Sequence, residues 1–260
     1  MTVVADVLKF IEEIAPSHLA EEWDNVGLLC GRNNQPVHKI LVALDPFYTV
    51  CQEAVDIGAD LIVTHHPIIF GNNLNAVNDK TQTGRCLLLL SENKISAINA
   101  HTNLDIAPGG VNDILAATIG LKDIALISPA GASYGLLRSG YVAEQSLSDF
   151  LSMVKTALGC EGLRYIDAGK IVRKVAVGGG SCADCMYEAA AAGCDTFVTS
   201  DIKYNQFRNA HELGINLIDA GHFHTENPTM PVLAEKLQKQ FPDTEVVFSK
   251  NHRDVMKFFV

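Results

Sequence analysis

The chain has 260 residues, 48% of them hydrophobic and 19% charged, a composition typical of a globular protein with one large domain or two lobes. Its formal net charge of -10 argues against a nucleic-acid-binding surface, which needs clustered lysine and arginine. Seven scattered cysteines, no signal-peptide pattern and no apolar run near about 20 residues argue against a disulfide framework and a membrane span, so we expect a cytoplasmic protein.

Helical and strand patterns alternate along most of the chain. In chain order, the first half predicts a helix over 2–15, a strand over 39–44, a helix over 47–58, a strand over 61–64, a helix over 79–93, a strand over 95–100 and a helix over 110–119. Residues 126–170 are less regular, with one helix over 146–158. The alternation then resumes with a strand over 174–177, a helix over 182–192, a strand over 196–199, a helix over 203–213, a strand over 215–219, a helix over 228–240, and strands over 245–248 and again near the end. Such alternation predicts an α/β fold with mostly parallel sheets flanked by helices.

An internal repeat divides the chain. With a shift of 135 residues, 39–66 aligns without a gap on 174–201, with eight identities in 28 positions. Two unrelated strand–helix–strand units would share apolar positions, but the shared Gly-x-Asp-x-x-Val-Thr is more specific. In each half a further strand is followed by His-x-x-x-acid. We therefore predict two similar, interlocked lobes, residues 1–125 with 228–260 and residues 126–227.

Three histidines and two carboxylates fall just after predicted strands, where ligands bind in open α/β sheets. Each residue alone is more often an ordinary polar side chain, so the prediction depends on the five occurring together at related strand ends. Imidazole and carboxylate donors suit Zn, Fe, Mn, Co or Ni, and carboxylates bridge two ions. Five donors are many for one ion with an open position, which favours two divalent ions per chain in the cleft between the lobes. The predicted ligands are His65, His66, Asp105, His222 and Glu226.

Two further histidines accompany these ligands in the sequence. His101 and His224 are candidates for proton transfer or for support of a ligand, and plain solvent exposure remains an alternative for both. The repeat is also imperfect here, because the first repeat unit ends at His65-His66 and the second at Ser200-Asp201.

Three other features have two interpretations each. Cys182 and Cys185 form a C-x-x-C at a predicted helix start, and incidental cysteines are favoured over a thiol oxidoreductase because no second pair exists. The glycines of 178–181 either cradle a phosphate or form a tight turn. Trp23, the only tryptophan, either lines a pocket or covers an edge of the core.

Four segments form recognisable signatures: Glu22-Trp23-Asp24-Asn25-Val26-Gly27-Leu28, Thr64-His65-His66-Pro67, Ala100-His101-Thr102-Asn103-Leu104-Asp105 and Asp219-Ala220-Gly221-His222-Phe223-His224-Thr225-Glu226. Together they resemble the GTP cyclohydrolase I type 2 homologue family, also called Nif-three-like proteins. The resemblance covers essentially the whole chain, in the family's order. It implies a dinuclear metal centre held by the same five residues, an α/β fold of two similar lobes, and a ring-shaped homohexamer built as a trimer of dimers.

This chain resembles the short form of the family, since 126–172 leaves no room for the extra domain of some relatives. It departs from many relatives at Asn205, where they have a histidine after an Asp-x-x-Tyr segment. The effect of that departure on rate or substrate stays open.

The resemblance and the donor set together predict metal-dependent hydrolysis. For GTP, an activated water would attack C8 of guanine, releasing formate and a dihydroneopterin triphosphate-type product, with His101 or His224 moving protons. Two alternatives stay open: a phosphoesterase acting on nucleotides, and a non-catalytic metal-binding scaffold or regulatory protein. The expected partners are a nucleotide or other small-molecule substrate and further copies of the chain, with no nucleic acid and no membrane.

Overall fold

The computed structural model describes residues 1–71, 74–128 and 134–259, which form two β-sheets flanked by helices. In chain order the elements are α1 (Val4–Ile14), β1 (Gly27–Cys30), β2 (Lys39–Ala43), α2 (Tyr48–Asp56), β3 (Leu61–Thr64), α3 (Gln82–Glu92), β4 (Ser96–Asn99), α4 (Thr102–Ile106), α5 (Val111–Thr118), β5 (Lys122–Ile127), β6 (Leu137–Gln145), α6 (Leu147–Leu158), β7 (Arg164–Ile166), β8 (Val172–Val177), α7 (Met186–Ala191), β9 (Thr196–Thr199), α8 (Tyr204–Leu213), β10 (Asn216–Asp219), α9 (His222–Glu226), α10 (Thr229–Gln240) and β11 (Glu245–Phe248). The predicted α/β class is confirmed. None of the helices in the described ranges has both the length and the apolar character needed to cross a bilayer.

These elements belong to two compact units. Unit 1 comprises Met1–Ala107 with Met230–Arg253, and unit 2 comprises Pro108–Thr229 with Asp254–Val260. Helix α5, which the sequence groups with the first lobe, lies in unit 2, where Leu115 is fully buried in an apolar core. The division into lobes of residues 1–125 with 228–260 and residues 126–227 stays a prediction.

Unit 1 is built on a five-stranded sheet in the order β1-β4-β3-β2-β11. The β4/β3, β3/β2 and β2/β11 pairs are parallel, and only β1 runs antiparallel to its neighbour. All four residues of β3 are buried, which is why this strand appears in the sequence as a continuous apolar run. Because β2, β3 and β4 run in the same direction, the residues that follow these three strands meet at one edge of the sheet.

Helices α2 and α3 cover part of this sheet. Cys51 of α2 and Leu90 of α3 are fully buried, in one apolar cluster with Leu41 of β2 and Ile62 of β3. Burying a side chain of this size contributes about 1.5–3 kcal/mol relative to leaving it in water. This packing holds the two crossover helices against the sheet.

Unit 2 contains a six-stranded sheet in the order β5-β6-β8-β9-β10-β7. Its three central neighbours, β8, β9 and β10, are parallel, whereas β5, β6 and β7 pair antiparallel. Strands β6 and β7 lie in the region 126–170, for which the sequence predicts only one helix, and β5 begins just before that region. Most residues of β5 and β7 are exposed. Strand β7 is short and has no apolar run of the kind by which buried strands are recognised, whereas the apolar run of β5, residues 124–127, is mostly exposed.

The internal repeat is visible in the hydrogen bonds of both units. Asp60 Oδ2 accepts the backbone amide of Lys39 at 3.0 Å, and Asp195 Oδ2 accepts that of Lys174 at 2.7 Å, with the same 135-residue shift. Each lysine then donates its Nζ to a carbonyl at the C-terminal end of the following helix, at 3.0 and 2.6 Å. The shared Gly-x-Asp motif therefore ties neighbouring strands together and serves the scaffold.

One predicted strand is wrong. The sequence predicts a strand near the C-terminal end, but none follows β11 in the described residues up to 259. Glu53, buried on α2, accepts the backbone amides of Lys250 at 2.8 Å and Asn251 at 3.1 Å. These amides bond to a carboxylate, so the chain leaves the sheet after β11.

Candidate metal centre

Three histidines come together at the carboxyl edge of the unit 1 sheet. His65 and His66 directly follow β3, and His101 follows β4 by two residues. One ring nitrogen from each of the three lies within 4.8 Å of those of the other two. Their ring centroids are 5.0, 5.2 and 5.4 Å apart. This group can hold a metal ion.

The neighbouring histidines His65 and His66 do not point to opposite sides, as successive residues of a strand do. Strand β3 ends at Thr64, whose hydroxyl donates to the carbonyl of His66 at 2.7 Å. The chain therefore bends immediately after the strand, before Pro67. The bend brings the two rings to the same side of the sheet edge.

Asp105 joins this group from helix α4. Its Oδ1 atom lies 3.5 Å from Nε2 of His65, and both residues are buried. Two ligands of one ion, each about 2.1 Å from it, lie roughly 3.0–3.4 Å apart in octahedral or tetrahedral geometry. The spacing of this pair is therefore close to that of two ligands of a common ion.

Each of the three imidazoles is held through its Nδ1 atom. Carbonyl and carboxylate oxygens only accept hydrogen bonds, so the ring proton lies on Nδ1 and the lone pair of the neutral ring on Nε2. Histidines that bind metal through Nε2 have this arrangement. The acceptors are Ala100 O for His65 at 2.8 Å, Asp45 Oδ1 for His66 at 2.7 Å, and Asp24 Oδ1 for His101 at 2.8 Å.

Asp24 is the most firmly held of these acceptors. Its side chain is fully buried, and its Oδ2 accepts from the amide and the hydroxyl of Thr102 at 3.0 and 2.6 Å. Burial alone would raise the pKa of Asp24, but hydrogen bonds from His101 and Thr102 outweigh burial and hold that pKa well below its usual range. Asp24 therefore stays charged and fixes the His101 ring.

Asp24 and Asp45 have roles that sequence reasoning missed. Asp24 lies in the signature segment 22–28, where the sequence alone indicates no function for it. Asp45 lies two residues beyond β2, a strand-end position like that of His65, so its location was a usable signal. His252, which accepts the Leu44 amide at 3.3 Å and whose pKa burial lowers, had no such signal in the tail.

Unit 2 has a separate pair of candidate ligands, His222 and Glu226, which lie one turn apart on helix α9. His222 Nε2 is 3.1 Å from Glu226 Oε2, again a spacing suited to two ligands of one ion. His222 Nδ1 is held by Asp201 Oδ2 at 2.7 Å, the same kind of support as in unit 1. Asp201 follows β9 with a positive φ of 53°, a left-handed conformation that aspartate tolerates better than most residues.

The glycine-rich loop after β8 makes room for Glu226. Gly180 has a positive φ of 64°, and a Cβ there would collide with the Glu226 carboxylate. The amide of Gly179 donates to Asn112 Oδ1 at 2.7 Å, and that of Gly180 donates to Thr225 Oγ1 at 3.0 Å. Because both amides bond within unit 2, the loop serves as a tight turn against the carboxylate rather than as a phosphate cradle.

The remaining candidates lie in other surroundings. The His224 ring is held between Leu158 O, 3.1 Å from Nδ1, and Asp254 Oδ2, 3.2 Å from Nε2, and its part in proton transfer stays a prediction. Cys182 and Cys185 are both thiols beside a short 3-10 turn, and Asn205 is exposed on α8.

The chain matches the family model described as Duf34/NIF3 (NGG1p interacting factor 3) over residues 2–255. It belongs to this family. The match includes all four signature segments, so the resemblance inferred from them is confirmed. The donor set fits divalent metal, since imidazole and carboxylate are the ligands that Zn, Fe, Mn, Co and Ni accept.

Relatives and solved structures match over nearly the whole chain. A Clostridium perfringens (strain 13 / Type A) protein named GTP cyclohydrolase 1 type 2 homolog is 35% identical, covering 97% of this chain and 98% of that protein. A Clostridium acetobutylicum protein of the same name is 33% identical, covering 98% of each. The crystal structure of a Bacillus cereus protein related to NIF3 matches with a TM-score of 0.93 and 26% identity, covering 100% of this chain and 99% of that one.

Proposed function

We propose that this chain is a dinuclear metal-dependent hydrolase that acts on a nucleotide, with GTP as the first substrate to test. The observation that carries the proposal is the set of imidazoles whose Nδ1 atoms are held by carbonyl or carboxylate oxygens, with buried carboxylates beside them. The names of the relatives support the choice of GTP, and the family supports a site held by these residue types.

Five side chains are proposed to hold two divalent ions: His65, His66, Asp105, His222 and Glu226. The tautomer of each histidine supports this assignment, because the anchored Nδ1 leaves Nε2 as the metal-binding atom. The 3.5 Å and 3.1 Å imidazole–carboxylate spacings in the two units support it too. Zn, Fe, Mn, Co and Ni all suit this donor set.

Bound divalent ions supply Lewis-acid activation of water and of the substrate. The residues of the chain supply orientation and proton transfer. Asp45 and Asp201 orient the rings of His66 and His222 through Nδ1. Asp24 holds a proton on Nδ1 of His101, so Nε2 of that ring can accept a proton during hydrolysis and return it to the leaving group.

The product formed from GTP tests this proposal. Protein reconstituted with each candidate metal is incubated with GTP, and formate and inorganic phosphate are measured separately against a metal-free control. We expect metal-dependent formate. Phosphate without formate would make the protein a nucleotide phosphoesterase, and neither product above the control would contradict both hydrolytic versions.

His101→Gln tests the proposed proton transfer separately. The amide keeps a hydrogen-bonding side chain at this position but cannot accept a proton, so turnover is expected to fall by roughly 10²–10⁴-fold with KM little changed. The matched control is His211→Ala, an exposed histidine on α8. Equal turnover in wild type and His101→Gln would remove His101 from the mechanism.

We also propose a homohexamer built as a trimer of dimers, on the strength of the family resemblance. Six chains of 28.1 kDa have a mass of about 169 kDa. Sedimentation equilibrium measures that mass directly, and a monomer or dimer at micromolar concentration would contradict the proposal.

A further inference from the structure

Two exposed aromatic rings lie beside the histidine group of unit 1. Trp23 is 50% exposed and Phe70 57% exposed. Their ring centroids are 5.6 Å apart with planes tilted by 36°. The His101 ring lies 5.9 Å from Trp23 and 6.1 Å from Phe70. The pair therefore presents apolar ring surface to solvent next to donors that can hold a metal ion.

The chain around this pair is held in place by part-buried hydrogen bonds. The residue after Trp23 is Asp24, whose side chain is fully buried against His101. The next residue, Asn25, donates its side-chain amide to the carbonyl of Ile69 at 3.0 Å, which links this segment to the one that carries Phe70. A tryptophan that covered the core would itself be buried. Here the side chain of the next residue, Asp24, is buried and the indole is open, which is the arrangement of a preorganised contact surface.

Phe70 also lines a cavity of about 340 Å³. That volume lies at the small end of the range for small-molecule sites, which are mostly apolar with a few polar groups that set orientation. The cavity is lined by apolar side chains and by side chains with amide or hydroxyl groups. Such a lining suits a planar ring that carries nitrogen and oxygen atoms. The other lining residues include Ile69, Leu74, Asn75, Asn78 and Thr81.

We propose that Trp23 and Phe70 form a stacking platform for the planar heteroaromatic ring of the substrate, with a purine base as its ligand. The proposal rests on the proposed function, because it names the substrate class of that centre. Bases stack on aromatic side chains through their π-faces, and the 5.9 Å from Trp23 to His101 places such a base beside the histidine group. The surface area of two aromatic rings is far smaller than the roughly 800 Å² that each partner buries in a stable protein interface, which favours a small ligand.

The chain provides its own reporter, because Trp23 is its only tryptophan. Intrinsic tryptophan emission of the full-length protein is titrated with guanosine, GTP and tripolyphosphate, and free N-acetyltryptophanamide corrects for absorption by the base. We expect saturable quenching by guanosine and GTP and none by tripolyphosphate. Phe70→Ala keeps the reporter and is expected to weaken guanosine binding about 10-fold, within the range for loss of one base–aromatic stack.

Phe70→Leu is the second variant, since it keeps apolar bulk and removes only the ring, and the same loss is expected. Tyr187→Ala, at an exposed aromatic of unit 2, is the matched control and should titrate like the wild type. Guanosine affinity that is unchanged in both Phe70 variants would overturn the proposal. Tryptophan emission per molecule that changes with protein concentration, and not with ligand concentration, would identify a second copy of the chain as the occupant. That result would also overturn the proposal.

This proposal and the proposed hydrolase can fail separately. Metal-dependent turnover of GTP without guanosine quenching contradicts the platform and leaves the hydrolase intact. Guanosine quenching that weakens in the Phe70 variants, without any product from GTP, supports the platform and contradicts the hydrolase.

Discussion

The two units share a scaffold and differ at the ends of their strands. Asp60 with Lys39 and Asp195 with Lys174 make the same strand-tying bonds. Immediately after the equivalent strands, unit 1 has two histidines, whereas unit 2 has Ser200 and Asp201. These residues lie beyond the hydrogen-bonded strand positions, so their side chains differ between the units while the strand-tying bonds are the same. The comparison shows that the residues of the shared scaffold are the same in both units, whereas the candidate functional residues after the strands differ.

The second difference is a single inserted residue. Ala100 donates its amide to Thr64 at 3.0 Å, and Ala220 donates to Thr199 at 2.9 Å, so the two strand ends match up to this point. Unit 1 continues directly with His101, whereas unit 2 inserts Gly221 with a φ of 83° before His222. His101 consequently precedes its helix and His222 begins one. The same His-x-x-x-acid spacing therefore places the histidine before the helix in unit 1 and at the first helical position in unit 2.

The largest effect is expected from removing one proposed imidazole ligand from either unit. His66→Ala and His222→Ala each delete an anchored ring, so apparent metal affinity should fall by at least about 100-fold. Elemental analysis and chelator competition measure this, with His211→Ala as an exposed control. If one of the two variants kept its metal, the donors of that unit would not belong to the centre.

A smaller and unequal effect is expected from the carboxylates that hold these rings. Asp45→Asn should weaken metal binding by about 10–100-fold, and Asp201→Asn should have the smaller effect. The reason is solvent access, since the side chain of Asp45 is 21% exposed and that of Asp201 is 48% exposed, where water can replace the carboxylate. Metal titration of both variants measures the difference. The reverse order would show that exposure does not set the strength of this support.

The shared scaffold predicts equal losses of stability in the two units. Asp60→Ala and Asp195→Ala each leave backbone amides without their acceptor, at a cost of about 1–3 kcal/mol in the free energy of unfolding. Urea denaturation measures the loss, and metal content per folded chain should not change. The exposed Asp243→Ala serves as control and should change the unfolding free energy by no more than about 0.5 kcal/mol. A loss of unfolding free energy in only one of the two variants would mean that Asp60 and Asp195 do not stabilise their units equally.

The smallest effect concerns pH and lies in unit 2. Burial raises the pKa of Cys160 from its ordinary value of 9.0 to about 12. The unfolded chain therefore loses this proton first, and stability falls as pH rises from 9 towards 12, by about 1 kcal/mol at pH 10. Cys160→Ala should remove that part of the pH dependence in urea titrations at pH 8 and pH 10. An unchanged slope would mean that this thiol is ionised equally in both states.

The sequence predicted what local pattern determines. Buried parallel strands such as Leu61–Thr64 appear as apolar runs, and His65 and His66 lie directly after this strand, as the sequence predicts. The role of these histidines as metal ligands stays a prediction. The supporting residues were missed because their contacts span long stretches of chain, 77 residues for Asp24 with His101 and 21 for Asp45 with His66. The prediction of a second C-terminal strand is wrong because buried Glu53 accepts the backbone amides of Lys250 and Asn251.

The metal stoichiometry of the wild-type chain tests the central claim most directly. Protein purified without added metal, then reconstituted with each candidate ion and freed of excess, is measured by elemental analysis against protein concentration. The proposed ligands, His65, His66 and Asp105 in unit 1 and His222 and Glu226 in unit 2, predict about two ions per chain. We expect both ions to be lost when either His66 or His222 is replaced by alanine. Fewer than about one ion per chain after reconstitution with every candidate metal would contradict the account.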